Sequence, residues 1–209
     1  MRTGDTRKIF HFSIFTCAAV LSLTVGVAAV NLLGGLMAIY LFTILRIGEG
    51  NLFYEGVARE TDRPQRSLYV LVPFLATAAG GILSSFVFGH YATVGYVAGG
   101  WGDAVAEPLG IRFGKHRYRV PNFGGGVQSD RSIEGSAAVF LASFVGVGLV
   151  LALGDVAEGS PLAFLVLVSA CVATASTVIE AFSPHGLDNL TIMLTASAVA
   201  YGMMGGANP

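Results

Sequence analysis

The chain has 209 residues, of which 54% are hydrophobic and only 12% are charged, and its mean hydropathy is +0.69. Soluble domains carry about a quarter charged residues, so this composition argues against an ordinary soluble enzyme. The formal net charge of −1 gives no reason to expect nucleic acid as a partner. A membrane span needs about 20 mainly apolar residues, and several segments qualify. We therefore predict an all-α, polytopic membrane protein that forms a single catalytic domain over 1–209.

Apolar segments recur along the chain, separated by turns that are polar or rich in Gly and Pro. They predict about seven transmembrane helices, at roughly 9–29, 31–47, 68–89, 91–109, 134–154, 161–182 and 187–206. The segment after "MRTGDTRKIFHFSIF" has no convincing small-residue cleavage site, so we interpret it as a retained first span. Cys17 and Cys171 lie inside apolar segments and are interpreted as packing residues.

The Lys and Arg residues predict the orientation, because cytoplasmic loops carry an excess of basic residues. If the N-terminus is cytoplasmic, all 12 basic residues fall on the cytoplasmic side. These residues are Arg2, Arg7, Lys8, Arg46, Arg59, Arg63, Arg66, Arg112, Lys115, Arg117, Arg119 and Arg131. The outer loops then contain Asp155 and Glu158 as their only charged residues. This sorting favours seven spans and a cytoplasmic N-terminus.

Carboxylates lie at the predicted cytoplasmic ends of several spans. They are Asp103, Glu107, Glu180 and Asp188. Carboxylates at membrane depth are costly and usually face an interior cavity or a partner. Asp103 and Glu107 are four residues apart and therefore share a helix face. A break at 184–186 separates the other two, and such a break is tolerated where the backbone lines a cavity.

A basic, Gly-rich segment follows the first two carboxylates, and 107–133 is predicted to be a cytoplasmic nucleotide-binding loop. Carboxylates hold Mg²⁺, which prefers hard oxygen ligands and phosphate oxygens. Cationic side chains neutralise phosphate charge, and glycines let backbone N–H groups approach phosphates. Ser132 is a candidate N-cap for the next span, and a helix N-terminus there also favours an anion.

Simpler interpretations stay open for each of these features. A basic loop beside a membrane is often a topology signal or a contact with anionic lipid. Asp103 and Glu107 could form an interfacial pair bridged to nearby arginines, and Asp188 could simply cap a short turn. A small transporter is a further alternative, because transporters place ionisable groups and broken helices near the middle of the membrane.

Three elements of the sequence form a recognisable pattern. The central element consists of Gly102, Asp103, Ala106, Gly110, Gly114 and Lys115, followed by Arg131, Ser132, Glu134 and Gly135. An N-terminal Arg-Lys-x-x-His element contains Arg7, Lys8 and His11, and a late acidic element contains Glu180, Asp188 and Asn189. These motifs resemble those of the CTP-dependent polyprenol and lipid-alcohol kinases, a family that includes dolichol kinase, phytol kinase and yeast-type diacylglycerol kinase and is related more distantly to phosphatidate cytidylyltransferases.

The leading hypothesis is phosphoryl transfer from CTP to the hydroxyl of a membrane lipid alcohol, such as phytol, dolichol or a farnesol-type prenol. Asp103 and Asp188 are the candidate Mg²⁺ ligands, assisted by Glu107 or Glu180. Lys115, Arg117, Arg119 and Arg131 are the candidate triphosphate ligands. The resemblance implies that Ser132, Glu134 and Gly135 shape the nucleotide loop. A cytidylyltransferase that acts on a lipid phosphate such as phosphatidate is the alternative, and a homodimer is compatible with either activity.

Overall fold

The computed structural model describes residues 3–58, 60, 63–120, 129–184 and 186–205. Three predicted features lie outside these residues: Arg2, Arg59 and the 121–128 part of the nucleotide-binding loop.

Seven long helices, one short helix and one two-stranded hairpin form the described part of the chain. Their order is α1 (Thr3–Thr24), α2 (Val27–Ile47), α3 (Leu52–Val57), α4 (Arg66–Phe88), α5 (Ala92–Phe113), β1 (Arg117–Val120), β2 (Ser129–Ser132), α6 (Ile133–Leu153), α7 (Leu162–Phe182) and α8 (Asp188–Met204). Single 3₁₀ turns at Gly89–Tyr91 and Asp155–Ala157 connect α4 to α5 and α6 to α7. Each predicted span overlaps one long helix.

Within the part of the chain that the structure describes, four stretches of helix are long and apolar enough to cross a membrane. They are Val27–Ile47, Arg66–Phe113, Ile133–Leu153 and Leu162–Phe182, and the second of these is 48 residues long and contains both α4 and α5. These helices fit an integral membrane protein. The count of seven crossings and the cytoplasmic N-terminus stay predictions.

Residues 107–133, which are predicted to form a nucleotide-binding loop, include the end of α5 and a two-stranded hairpin, and this hairpin is a small addition to an otherwise helical fold. The fourth span does not end at 109, because α5 continues through Pro108 to Phe113. An antiparallel pair of strands follows, with Arg117 opposite Ser132 and Val120 opposite Ser129. The sequence RYRV alternates exposed arginines with the less exposed Tyr118 and Val120, which suits a strand with one covered face.

Helix α5 occupies the centre of the bundle, and residues 92–100 are buried without interruption. Glycines allow this position, because a Cβ on Gly95 would meet the Met193 carbonyl oxygen of α8 at 2.6 Å. A Cβ on Gly100 would collide with the ring of Phe15 in α1. Small residues permit such close helix–helix approach inside membranes. The same helix then carries Asp103 and Glu107 beyond its buried centre.

The predicted break between the last two helices is present. Helix α7 ends at Phe182 and α8 begins at Asp188, and Gly186 has a φ of 96°, a conformation that favours glycine. The Leu187 backbone N–H donates to the Pro184 carbonyl at 3.1 Å across this turn. The turn brings the end of α7, with Glu180, beside the start of α8.

Candidate active site

A polar pocket of about 280 Å³ lies where the carboxyl ends of α5 and α7 meet the amino ends of α1, α6 and α8. All four predicted carboxylates line it. The polar and glycine residues around it are Lys8, Asp103, Glu107, Gly110, Arg117, Asp130, Arg131, Ser132, Gly135, Ser136, Glu180 and Asp188. Residues that are far apart in the chain therefore meet at one end of the helical bundle, as the sequence predicts.

The first side of the pocket is organised by Lys8, whose exposed fraction is 6%. Its Nζ donates to Asp103 Oδ1 and to the Asp103 carbonyl oxygen, both at 2.9 Å, and lies 3.3 Å from Glu107 Oε2. His11 Nε2 lies 3.4 Å from Asp103 Oδ2, one turn further along α1. This contact joins the N-terminal Arg-Lys-x-x-His element to the central Gly-Asp element.

The second side is organised by Arg131, the penultimate residue of β2. Its Nη1 lies 2.8 Å from Glu180 Oε1, and its Nη2 lies 3.3 Å from Asp188 Oδ2. Nη2 also lies 3.3 Å from the carbonyl oxygen of Ser183. Both carboxylates are buried. The arginine compensates two carboxylates that would otherwise repel each other, and it ties the hairpin to α7 and α8.

Ser132 and three glycines hold α5 against α6 at the base of the pocket. Ser132 Oγ accepts a hydrogen bond from the Gly135 N–H at 3.1 Å, which confirms the predicted N-cap of α6. A Cβ on Gly114 would collide with the Gly110 carbonyl oxygen of α5 and would lie 2.7 Å from Ser132 Oγ. A Cβ on Gly110 would lie 3.1 Å from the same hydroxyl, and one on Gly135 would lie 3.1 Å from the Ala106 carbonyl oxygen. Gly110 and Gly135 therefore permit the close approach of α5 to the start of α6.

Gly102 and Ala106 belong to the same face of α5. A Cβ on Gly102 would lie 3.1 Å from Val139 of α6, so this glycine also serves packing, and Ala106 lines the pocket.

Several predicted nucleotide ligands do not line the pocket. Lys115 is exposed, and Arg119 is 77% exposed with its Nε 4.0 Å from Asp130 Oδ1. Glu134 lies in the first turn of α6, directly after the hairpin, and its carboxylate lies 2.8 Å from His116 Nδ1 and accepts from the His116 backbone N–H at 3.3 Å. Among the predicted basic ligands, Arg117 and Arg131 line the pocket.

Tyr118 connects the hairpin to α6. Its hydroxyl and that of Ser136 are 2.7 Å apart, and partial burial raises the pKa of Tyr118 above its usual value. This contact holds the hairpin against α6. Tyr118 lies on the face of β1 opposite that of Arg117 and Arg119.

A second, larger cavity of about 410 Å³ lies between α1, α2, α4, α5 and α8. Most of its lining is apolar, and the predicted residues Arg7, His11 and Asn189 belong to its wall. Lys8 and Asp103 line both this cavity and the polar pocket. The sequence predicts no role for Thr77 on the wall of this cavity, because a lone threonine in an apolar helix is an ordinary residue.

The donor set of the polar pocket suits Mg²⁺. Carboxylate oxygens are the hard ligands that this ion prefers, and Glu180 Oε2 is buried with no hydrogen-bond partner within the described residues. Those residues contain no group of three or more His, Cys, Asp or Glu side chains that could hold a metal ion on their own. Mg²⁺ is commonly held by one or two carboxylates together with substrate phosphates, and such binding fits the pocket.

Comparison with known proteins supports an enzymatic interpretation. Over 111 residues the chain is 36% identical to a phytol kinase of Synechocystis sp.. The predicted resemblance to the lipid-alcohol kinase family is confirmed. The match covers 53% of this chain and 43% of that protein, so the chain spans less than half of its relative's length. No protein-family model matches the chain, and no solved structure does.

Proposed function

We propose that the chain transfers a phosphoryl group from CTP to the hydroxyl of a membrane lipid alcohol, with the polar pocket as the nucleotide site. One observation carries this proposal: Asp103 and Lys8 line both the polar pocket and the apolar cavity. A charged donor on one side and an apolar acceptor on the other can therefore meet at these two residues.

In the proposed reaction the alcohol oxygen attacks the γ-phosphorus of CTP. The bond from that phosphorus to the β–γ bridging oxygen breaks, CDP leaves, and the hydroxyl proton passes to a carboxylate of the pocket. Such transfers depend mostly on positioning and on stabilisation of charge. Arg117 and Arg131 bind phosphate oxygens, while Lys8 holds the Asp103 carboxylate at the boundary of the two cavities.

Asp103 and Asp188 are the proposed ligands of Mg²⁺, with Glu107 or Glu180 assisting. When bound with the nucleotide, the ion neutralises charge on the phosphate oxygens. We further propose that the pocket opens to the cytoplasm, because the basic residues of the sequence are sorted toward that side.

The test is an incubation of the purified protein with labelled CTP or ATP and a panel of prenols and phosphatidate. We expect CDP and a prenyl phosphate as products. Release of pyrophosphate with phosphatidate would instead establish the cytidylyltransferase alternative. The variant Asp103→Asn should lose transfer, with thermal unfolding used to select conditions in which it remains folded, and Asp155→Asn, in the exposed turn between α6 and α7, is the matched control. Full activity of Asp103→Asn would contradict the assignment.

A further inference from the structure

The wall of the apolar cavity contains a buried amide beside its boundary with the polar pocket. Asn189 is 5% exposed and follows Asp188 directly at the start of α8. Asp188 lines the polar pocket, whereas Asn189 lines the apolar cavity. Two consecutive residues therefore contact the two compartments at the place where the compartments meet.

The two ends of this amide differ in their hydrogen bonding. Asn189 Nδ2 donates to Thr77 Oγ1 of α4 at 2.9 Å. Asn189 Oδ1 is buried and has no hydrogen-bond partner among the described residues. An unsatisfied buried acceptor is costly, and burial of polar atoms is ordinarily matched by a partner. The oxygen is thus suited to accept a hydrogen bond from a ligand.

Two of the neighbouring polar groups are already hydrogen-bonded, because Lys8 Nζ donates to Asp103 and Asn189 Nδ2 donates to Thr77. His11 Nε2 lies 3.4 Å from Asp103 Oδ2 and makes no hydrogen bond within the described residues. Thr77 fixes the orientation of the amide, so that the acceptor oxygen remains for the ligand. The ligand must therefore supply a donor at this point and hydrocarbon elsewhere, which describes an alcohol with an apolar chain.

We propose that the apolar cavity binds the hydrocarbon chain of the acceptor alcohol and that Asn189 Oδ1 accepts a hydrogen bond from its hydroxyl. This inference rests on the proposed function, and it names the acceptor site. The volume of about 410 Å³ is in the range of small-molecule pockets, about 300–1,000 Å³. Asn189 selects and anchors the hydroxyl, and Thr77 is a positioning residue that acts through Asn189.

The arrangement predicts discrimination between an alcohol and its ether. A methyl ether of phytol has the same chain but cannot donate a hydrogen bond to Asn189 Oδ1. The measurement is equilibrium binding of phytol and phytyl methyl ether to the purified full-length chain in detergent, without nucleotide. We expect the native chain to prefer the alcohol by about three- to tenfold, the size of one neutral hydrogen bond.

Substitutions of Asn189, and of Thr77, which orients the Asn189 amide, complete this test. Asn189→Leu should abolish the preference, Thr77→Val should reduce it, and Thr77→Ser should retain it, because serine preserves the hydroxyl that holds the amide. Thermal unfolding identifies any variant that fails to fold. If Asn189→Leu and Thr77→Val both fold and both keep the preference for the alcohol, the proposal is overturned.

The binding site of the alcohol's hydrocarbon tail is tested separately. Ala38 of α2 lines the cavity, whereas its neighbour Ile39 does not and is largely exposed. Ala38→Phe should weaken binding of phytol about tenfold and affect the shorter prenol geraniol less. Ile39→Phe is the matched control and should bind both as the native chain does. Equal effects of the two substitutions would overturn the cavity as the binding site.

Because the readout is binding without nucleotide, the two proposals fail in different ways. Loss of phosphoryl transfer with an intact preference for the alcohol would overturn the proposed function and support the cavity assignment. If the native protein transfers phosphate but binds phytol and phytyl methyl ether equally, the role of Asn189 is overturned and the proposed kinase activity is retained.

Discussion

Lys8 and Asp103 are 95 residues apart in the chain, and the Lys8 ammonium donates to both the side-chain and the backbone oxygen of Asp103 at 2.9 Å. The lysine comes from the first turns of α1, and the aspartate from the carboxyl half of the central helix α5. This pair forms the common wall of the polar pocket and the apolar cavity. It therefore separates a charged compartment from a hydrocarbon one.

Removal of the Lys8 ammonium should destabilise the fold. In Lys8→Met, the carboxylates of Asp103 and Glu107 would lose their shared cation. Breaking a buried ion pair from one side costs about 3 kcal/mol or more. The measurement is thermal unfolding in detergent, with Lys8→Arg as the control that keeps the charge. Unfolding midpoints that are equal for Lys8→Met and the native chain would contradict a structural role of the pair.

Two arginines of the hairpin should differ sharply in their effect on nucleotide use. Arg131 lies buried between Glu180 and Asp188, whereas Arg119 is exposed outside the pocket. A hydrogen bond to a charged group contributes about 1.5–3 kcal/mol, so Arg131→Gln should raise the KM for CTP by roughly 10- to 150-fold. Arg119→Gln should leave it within about twofold, because an exposed charge contributes little. Steady-state kinetics compares the two, and equal effects would refute the distinction.

Helix packing at the pocket base should be sensitive to a single methyl group. Gly114 has φ of −66° and ψ of 106°, but a Cβ there would collide with the Gly110 carbonyl oxygen of α5 and would lie 2.7 Å from Ser132 Oγ. Overpacking of this kind costs about 1–3 kcal/mol, so Gly114→Ala should lower the free energy of unfolding by that amount. Gly202→Ala, where a Cβ has nothing within 4 Å, is the control. Equal stability of the two variants would show that the contact relaxes without cost.

The turn before α4 should respond to acid through Glu55. Arg66, which is 2% exposed, donates from Nη2 to Glu55 Oε2 at 2.6 Å, and this hydrogen bond lowers the pKa of Glu55 below its usual 4.5. A lowered pKa contributes stability above the unfolded-state pKa, and this contribution is lost as the pH falls through the folded-state pKa. Unfolding midpoints measured from neutral pH downward should therefore differ between the native chain and Glu55→Gln at pH 7 and converge in acid. A difference that is independent of pH would contradict the prediction.

The proposed orientation can be tested with single cysteines. In a background where Cys17 and Cys171 are replaced by serine, Lys115→Cys and Glu158→Cys probe opposite ends of the bundle, since α6 lies between them. An impermeant thiol reagent added to intact cells should label Glu158→Cys, and Lys115→Cys should react after the membrane is opened. The reverse pattern would invert the topology.

The sequence predicts the convergence of the carboxylates well, because it follows from the cost of charge near a membrane. A carboxylate at this depth requires a nearby cation or a polar cavity, and Asp103 and Glu180 each have both. The partners themselves were harder to predict. Whether Lys8 or a loop arginine neutralises Asp103 depends on how α1 packs on α5, which periodicity does not specify.

Gly135 and the wall of the apolar cavity illustrate what the sequence does not predict. A Cβ on Gly135 would lie 3.1 Å from the Ala106 carbonyl oxygen, so this glycine also lets α6 approach α5 closely. The importance of Thr77 depends on one hydrogen bond to a residue 112 positions away. Such properties arise from tertiary packing, and a single sequence contains no local pattern that signals them.

The uninterrupted burial of residues 92–100 in α5 has a consequence for how this protein can change over generations. An ordinary amphipathic helix tolerates substitution on one side, so the tolerance measured at each position by a deep mutational scan varies with a period of about 3.6 residues. Along residues 92–100 of α5 this periodicity should be absent, and nearly every substitution should be selected against. Substitutions would then accumulate mainly in the outer helices, and this part of α5 would change little.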